Sequence, residues 1–478
     1  MAAHSSDKHT DNHPLKAAAK LTPILLLLLL AASVLFYKER MLFIDAPHML
    51  FRIINDGALQ ITEYRYGSFI TQGVPLVAAK LHLPLKVVTI LYSASFYLFF
   101  LAVALLLVYR FRNYALAVLL GLYYTLFVSD TFFWPNNEVH QGIAWLMLAL
   151  AAVYYLVRKH KAFVVVLAVF VPAFFLAIWT HPLVIPVAAY IWLFWLADGR
   201  LSRLSKLQQG ILTTILLALS IVKLYQGMHH GYDSTKIEVV TGFSFSKFTT
   251  IFAAPQLKFF LHSCVTNYWL FVLLAVVGMV SLLLKRRYIL LLLTVGFSLA
   301  YLLLIFITYR DLSGNRFYIE SEYMPVSIIC AAPFVYYVLP RLSPRLAVGS
   351  LSFIFCIRLA YIALSSQPFT ERVAVLERIY HNVRGAGVNK AIVPQSKTLD
   401  DLLIMSWGAP VESILFSALN GDTPNKTFIF ATEQETPGYL STGVDTMLGC
   451  WEKRAARNLN KAYFSIDTTR NYTVVTYE

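Results

Sequence analysis

The chain has 478 residues, of which 58% are hydrophobic and only 14% are charged, and its mean hydropathy is +0.62. Soluble domains carry about 25% charged residues, and their cores cannot absorb such an apolar excess. The composition therefore excludes an ordinary soluble protein and predicts an integral membrane protein. Basic loops on one side of a membrane explain the net charge of +14, and no basic stripe indicates nucleic-acid binding.

Apolar runs of membrane-spanning length recur along most of the chain, after a polar segment, residues 1–15, that we expect to be a disordered cytoplasmic tail. The transmembrane domain is predicted to cover residues 16–365. No small-residue cleavage site follows its first run, so we expect that run to stay in place as a span. About eleven transmembrane helices are predicted, near residues 21–37, 87–108, 114–129, 142–157, 162–180, 183–197, 209–226, 267–284, 288–308, 324–340 and 346–364.

Lysine and arginine residues follow every second predicted span. Cytoplasmic loops carry this excess of basic residues, so the pattern places the N-terminus in the cytoplasm and the C-terminus outside it. The protein is expected in a bacterial inner membrane or a plasma membrane. The basic loops contain Arg110 and Arg112; Arg158, Lys159 and Lys161; Arg200, Arg203 and Lys206; Lys285, Arg286 and Arg287; and Arg341 and Arg345.

Two larger segments lie on the opposite side. The first outer loop, residues 38–85, has apolar residues at helical spacing, which is typical of amphipathic helices at a membrane surface. Residues 366–478 alternate helical and strand-like patterns, with helices at 369–383 and 399–419 and strands at 390–393, 427–431 and 472–477. The predicted fold is thus an all-α polytopic membrane protein with a small, soluble, extracytoplasmic α/β domain at its C-terminus.

Asp45 is the first acidic residue of the first outer loop beyond the basic segment KER, in the sequence IDAPH. Pro47 and Asp45 suit the start of a helix, where the helix dipole stabilises a carboxylate. Two interpretations remain open from the residues alone. Asp45 is either a helix N-cap or a carboxylate held at the membrane surface for chemistry.

The layout of nearly the whole chain resembles the GT-C superfamily of polyprenyl-phosphate-dependent glycosyltransferases. The similar features are a short N-terminus, one span, a long outer loop with interfacial helices and an early acid, many further spans and an outward C-terminal domain. That superfamily includes protein O-mannosyltransferases and the aminoarabinose transferase of lipid A. In many members the first-loop acid belongs to an Asp-Glu or Asp-x-Asp pair, whereas Asp45 has no adjacent acidic partner.

The resemblance implies a sugar donor on a polyprenyl phosphate, which enters from the lipid, and an acceptor outside the cytoplasm. Inverting transfer needs a base for the acceptor hydroxyl and cations for the departing phosphate. Asp45 is the candidate base. Arg316 and, as a second choice, Arg310 are the candidates for the phosphate, because arginine binds phosphate bidentately. A salt bridge with Glu320 or Glu322 is the alternative role for Arg316.

Four further residues are candidates for substrate binding. Arg358 lies inside the last predicted span, where it either snorkels to the interface or faces an anionic group. Glu138 either caps a helix or acts as a second acid that, with Asp45, offers oxygen ligands to a divalent metal ion. His140 lies in the same turn, and His181 lies before Pro182, where a purely structural role is the alternative.

The function that best fits these features is transfer of a sugar or related group from a polyprenyl-phosphate carrier to an extracytoplasmic acceptor. The partners are then the lipid-linked donor and membrane lipid, without nucleic acid. A transporter or lipid flippase would need polar groups or broken helices near the middle of the membrane. A non-enzymatic assembly protein is the third possibility. The sequence leaves the sugar, the acceptor, any metal requirement and protein partners open.

Overall fold

A computed structural model describes residues 13–229, 231–244, 248–309 and 316–476 of the chain. Most of the predicted tail, residues 1–12, and the second phosphate candidate, Arg310, lie outside the described residues. The first helix begins at His13, inside the segment that we expected to be disordered. The described part is predominantly helical, with a small region of β-structure near the C-terminus.

The described residues from 13 to 364 form α-helices joined by loops and short helical turns. The first ten are α1 (His13–Ala19), α2 (Leu21–Leu35), α3 (Tyr37–Met41), α4 (Asp45–Asp56), α5 (Phe69–Lys80), α6 (Leu85–Leu105), α7 (Tyr114–Leu126), α8 (Val139–Arg158), α9 (Phe163–Thr180) and α10 (Val184–Ala197). The next eight are α11 (Lys206–His229), α12 (Gly231–Thr241), α13 (Thr250–Ala253), α14 (Pro255–Thr266), α15 (Trp269–Leu284), α16 (Tyr288–Thr308), α17 (Arg316–Pro333) and α18 (Pro344–Leu364).

Eight helical stretches within the described residues are long and apolar enough to cross a membrane, or up to nine if the bent pair α14–α15, with an angle of 85°, counts as one span. The predicted class of helical membrane protein agrees with this, but the predicted number of eleven does not follow from it. Two of the eleven predicted spans correspond to α7 and α10, which have only 13 and 14 residues. At about 1.5 Å per residue, neither helix spans about 30 Å of hydrocarbon alone.

The packing of helix α7 explains why its sequence is as apolar as that of a membrane span. Every residue from Ala115 to Leu126 is buried, and the helix packs against α2, α17 and α18. A helix that is hydrophobic on all sides is typical of the interior of a helical bundle. Hydropathy alone therefore counts α7 as membrane-exposed, whereas the structure surrounds it with protein.

One end of the bundle carries what we call the loop face, formed by residues 37–84, 129–138 and 366–476. Helix α4 has the predicted amphipathic pattern, and its apolar side, with Leu50, Ile53 and Ile54, is buried. It packs against α5 and against α21 of the C-terminal segment. The C-terminal segment therefore covers the first loop directly.

The C-terminal segment is the predicted small α/β unit, joined to α18 by a turn at Ser365. Three parallel strands have the order β2-β1-β5, with Ile392 of β1 opposite Ile429 of β2, and β3 and β4 form an antiparallel pair. Its elements are α19 (Ser366–Gly385), β1 (Lys390–Pro394), α20 (Lys397–Leu403), α21 (Ala409–Leu419), β2 (Thr427–Ala431), α22 (Thr436–Leu440), β3 (Thr446–Leu448), β4 (Lys453–Ala455) and β5 (Thr473–Val474).

Candidate functional site

Asp45 is the first residue of α4, directly after a backbone turn of unusual geometry. Ile44 has φ 46° and ψ −101°, a conformation that β-branched residues rarely adopt. The turn is held from outside, because the Ile44 backbone N–H donates to Glu412 Oε1 at 2.8 Å. Strained backbone of this kind persists where the surrounding structure fixes it, and it concentrates at functional sites.

The carboxylate of Asp45 does not cap its own helix, so the N-cap alternative is not what the structure contains. Instead, Trp134 Nε1 donates a hydrogen bond of 2.7 Å to Asp45 Oδ2. Asn136 donates to the Asp45 carbonyl oxygen at 3.4 Å and to the Tyr92 hydroxyl at 3.1 Å. The turn between α7 and α8 therefore fixes both the side chain and the main chain of Asp45.

Burial raises the pKa of Asp45 from an ordinary value of 3.8 to about 6. The hydrogen bond from Trp134 opposes this shift, the nearby charge of Glu138 adds to it, and Arg65 lowers the pKa. A carboxylate with this pKa is ionised at neutral pH, yet it binds a proton more readily than an exposed aspartate does. These are the properties of a general base.

A compact cluster of charges lies beside Asp45. Arg65 bridges two carboxylates, with 2.6 Å from Nη1 to Glu138 Oε2 and 2.7 Å from Nη2 to Asp233 Oδ1. Lys223 Nζ lies 4.0 Å from Asp233 Oδ2 and donates to the Glu63 carbonyl oxygen at 3.2 Å. Glu138 therefore lies near Asp45 as predicted, but its carboxylate is bound to Arg65 and does not cap α8.

Arg316 belongs to a second cluster on the other side of Trp134. Its Nε lies 3.1 Å from Glu320 Oε1 and 3.5 Å from Asp130 Oδ2, so the predicted salt bridge with Glu320 is present. Its side chain remains about one-third exposed, at 32%. Burial, and next the charge of Glu320, raise the pKa of Asp130 to about 7, while Arg316 lowers it.

The two clusters are linked by aromatic rings. Phe317, next to Arg316, has its ring centroid 5.2 Å from that of Trp134 and 4.9 Å from that of Phe43. Tyr318 lies 5.1 Å from Trp134. The indole that binds Asp45 thus also packs against the residues that follow Arg316.

Arg358 is fully buried rather than snorkelling to the interface. Its guanidinium donates to the carbonyl oxygens of Thr125, Val128 and Asn267 and to Ser129 Oγ. These acceptors include carbonyls at and just beyond the C-terminal end of α7, where an arginine stabilises the end of a helix. The contacts favour a structural role for Arg358 over the predicted role in substrate binding.

The two candidate histidines are both buried. His140 Nδ1 lies 2.9 Å from the Tyr123 hydroxyl, and His140 also lines a cavity of about 20 Å³ beside Arg40 and Tyr97, which is room for one water molecule. His181 Nδ1 accepts a hydrogen bond from the Leu183 backbone N–H at 3.2 Å. Burial, with smaller effects of Arg65 and Lys223, lowers the pKa of His181, so it is neutral at pH 7. These contacts fit a turn-forming role.

Several residues of the site were not predicted. Trp134 and Asn136 bind Asp45, Arg65 lies close enough to act on its charge, and Asp233 is paired with Arg65. Each of the four lies in a segment that the sequence places on the same side as Asp45. The signal available was weak, because one arginine in the sequence EYRYG does not indicate which acids it meets. Glu322 is a further buried acid, bound by Asn137 at 3.2 Å.

Comparison of the chain with protein-family models, with curated proteins and with solved structures found no match. The resemblance to the GT-C superfamily therefore stays a prediction from the layout of the chain. In the described ranges, no group of three or more His, Cys, Asp or Glu side chains is placed to hold a metal ion. The carboxylate of Glu138, the predicted partner of Asp45 in metal binding, is paired with Arg65.

Proposed function

We propose that this protein is a membrane glycosyltransferase of the GT-C type, which transfers a sugar or related group from a polyprenyl-phosphate carrier to an acceptor at the loop face. The observation that carries the proposal is the environment of Asp45, a carboxylate with a raised pKa held by Trp134 at the end of an apolar helical bundle. Such a group can take the proton from an acceptor hydroxyl as that oxygen attacks the sugar.

The departing lipid phosphate needs a cation. Arg316 remains the best candidate, since its side chain is about one-third exposed, at 32%, whereas the side chain of Arg65 is only 12% exposed and is held between two carboxylates. In this proposal Arg316 binds the phosphate and Arg65 positions Glu138, whose charge influences Asp45. No metal ion is required by these roles, although a divalent ion bound with the substrate is compatible with them.

The pH dependence of donor consumption tests the proposal. The purified protein in lipid vesicles is incubated with polyprenyl-phosphate mannose and polyprenyl-phosphate glucose, and release of the polyprenyl phosphate is measured from pH 4.5 to 8. Because the base acts when ionised, activity should rise with pH and reach half its maximum near pH 6. If neither donor is bound or consumed at any pH, the transferase proposal is wrong.

Transport is the second candidate function, and one observation favours it. Glu322 lies in a candidate membrane-spanning helix, is 1% exposed, and its Oε2 has no hydrogen-bond partner among the described residues. Buried acids in membrane helices often mark pathways for ions or substrates. A vesicle that moves a lipid-linked sugar across its bilayer without releasing the polyprenyl phosphate would support this candidate instead.

The proposal also requires the loop face to be extracytoplasmic, as the basic loops predict. In a variant without the four native cysteines, a cysteine at exposed Asn458 should react with a membrane-impermeant thiol reagent on intact cells. A cysteine at exposed Ser202, in a basic loop, is the matched control and should react only after permeabilisation. The opposite labelling pattern would reverse the orientation and place the site in the cytoplasm.

A further inference from the structure

Two tryptophans of the C-terminal unit form an open aromatic surface on the loop face. The indole rings of Trp407 and Trp451 have centroids 4.5 Å apart and planes inclined by 32°. Trp451 is 68% exposed, and among the described residues it is the one tryptophan whose side chain counts as exposed. His48 completes the group, with its ring 4.9 Å from that of Trp451 in an edge-to-face arrangement.

This group lies next to Asp45. His48 follows Asp45 by three residues in α4, so both side chains lie on the same side of that helix. Gly408, beside Trp407, packs so closely on the first loop that an added Cβ would lie 3.0 Å from Ile44 Cα. On the Trp451 side, burial raises the pKa of Cys450 to about 12, and the charges of Glu412 and Asp45 contribute.

The polar character of the group indicates what it binds. Burial, and next the charge of Arg52, lower the pKa of His48 to about 4, so the imidazole is neutral at pH 7. Its Nδ1 is buried and has no hydrogen-bond partner among the described residues. Two charged residues that follow Trp451, Glu452 and Arg454, form a rim and are paired at 2.7 Å. A bare hydrophobic anchor would not contain this polar rim, whose Glu452 side chain is 43% exposed.

Sugar rings match this combination of groups. The C–H faces of a pyranose pack on exposed indole rings, and its hydroxyls need hydrogen-bonding groups at the edge of the aromatic surface. We propose that Trp407, Trp451 and His48 form a subsite that binds a sugar unit of the acceptor and presents its hydroxyl towards Asp45. This inference rests on the proposed function, because it assigns the acceptor of that reaction as a glycan.

Binding of neutral oligosaccharides tests the subsite without a donor. The full-length protein in phosphatidylcholine nanodiscs is titrated with maltotetraose, cellotetraose and mannotetraose, and binding is followed by saturation-transfer NMR and indole fluorescence. At least one oligosaccharide should bind, and Trp451→Ala should raise its Kd by about tenfold, the effect of losing about 1.4 kcal/mol. Trp451→Phe should keep part of the affinity. The matched control Leu440→Ala removes another exposed apolar side chain of the same unit and should leave the Kd unchanged.

Two results would overturn the subsite. One is absence of binding for all three oligosaccharides, and the other is a Kd that Trp451→Ala and Trp407→Ala leave unchanged. Quenching of Trp451 fluorescence by brominated lipid, without oligosaccharide binding, would identify the pair as an interfacial anchor. Release of polyprenyl phosphate from the lipid-linked donors is measured on the same preparations. Oligosaccharide binding without donor use would contradict the proposed function, whereas donor use without oligosaccharide binding would contradict only the subsite.

Discussion

Asp45→Asn should lower the rate of sugar transfer by about 100- to 10,000-fold, which is the usual cost of losing a general base. Asparagine has nearly the same shape as aspartate, and its oxygen can still accept the hydrogen bond from Trp134 Nε1. It cannot take a proton from the acceptor hydroxyl. The substitution therefore removes the chemistry and keeps the contacts, and the rate is measured with polyprenyl-phosphate mannose or glucose, whichever the protein consumes.

The stability of the same variant separates a catalytic role from a structural one. Since the fold raises the pKa of Asp45 from 3.8 to about 6, the fold favours the neutral carboxyl, so ionisation lowers the stability of the fold as pH rises from about 4 to about 6, and the loss stays constant at higher pH. At pH 7 the Asp45→Asn protein should accordingly be at least as heat-stable as the wild type, in melting curves recorded in detergent. Asp401→Asn, at an exposed position of α20, is the control and should keep full activity. Wild-type activity in Asp45→Asn would rule out Asp45 as the base.

The sequence predicted the parts of the fold that follow from local patterns. Strand β2 has the predicted bounds 427–431, and a helix predicted at 369–383 extends from Ser366 to Gly385. The segment 399–419 was predicted as one helix, but the structure divides it into α20 and α21. The break contains Ile404 at φ 62° and brings Gly408 against Ile44. That contact joins residues far apart in the chain, which local patterns do not reveal.

The sequence predicted Asp45, Glu138 and Arg316 as site residues, but not the residues that hold Asp45 in place. Asp45 was recognisable from its place after the first span, but its partners Trp134 and Arg65 lie 89 and 20 residues further along the chain. For Arg358 the sequence suggested a role that the structure does not favour, because a lone arginine in a span suggests a ligand contact. Its actual acceptors are mainly backbone carbonyls, which every sequence contains and no sequence pattern identifies.

The turn before Asp45 depends on a buried ion pair of the C-terminal unit. Arg372 and Glu412 are each 1% exposed, and 2.7 Å separates Arg372 Nη2 from Glu412 Oε2. Arg372 also donates to the Leu42 carbonyl oxygen, and Glu412 Oε1 accepts from the Ile44 backbone N–H. The pair therefore forms hydrogen bonds to the strained backbone on both sides of Phe43 and so fixes the position of Asp45.

Removal of one residue of this pair should therefore lower the stability of the fold and also displace Asp45, the proposed base. Glu412→Ala leaves a buried arginine unpaired, which typically costs about 3–5 kcal/mol, and it releases the Ile44 N–H. The exposed pair Lys38–Glu377 joins the same two segments at 3.1 Å, with side chains 39% and 40% exposed, so Glu377→Ala is a matched control that should cost less than about 1 kcal/mol.

Glu412→Gln distinguishes positioning from simple stabilisation. Glutamine can still accept hydrogen bonds from the Ile44 N–H and from Arg372, so the protein should fold. Its hydrogen bonds are weaker because the amide carries no charge, and Asp45 should therefore move relative to Trp134. The midpoint of the pH–rate profile, which we expect near pH 6 for the wild type, should then shift, because the burial and hydrogen bonding that set the pKa of Asp45 have changed. An unaltered midpoint and rate in a folded Glu412→Gln protein would show that the pair stabilises the C-terminal unit without positioning Asp45.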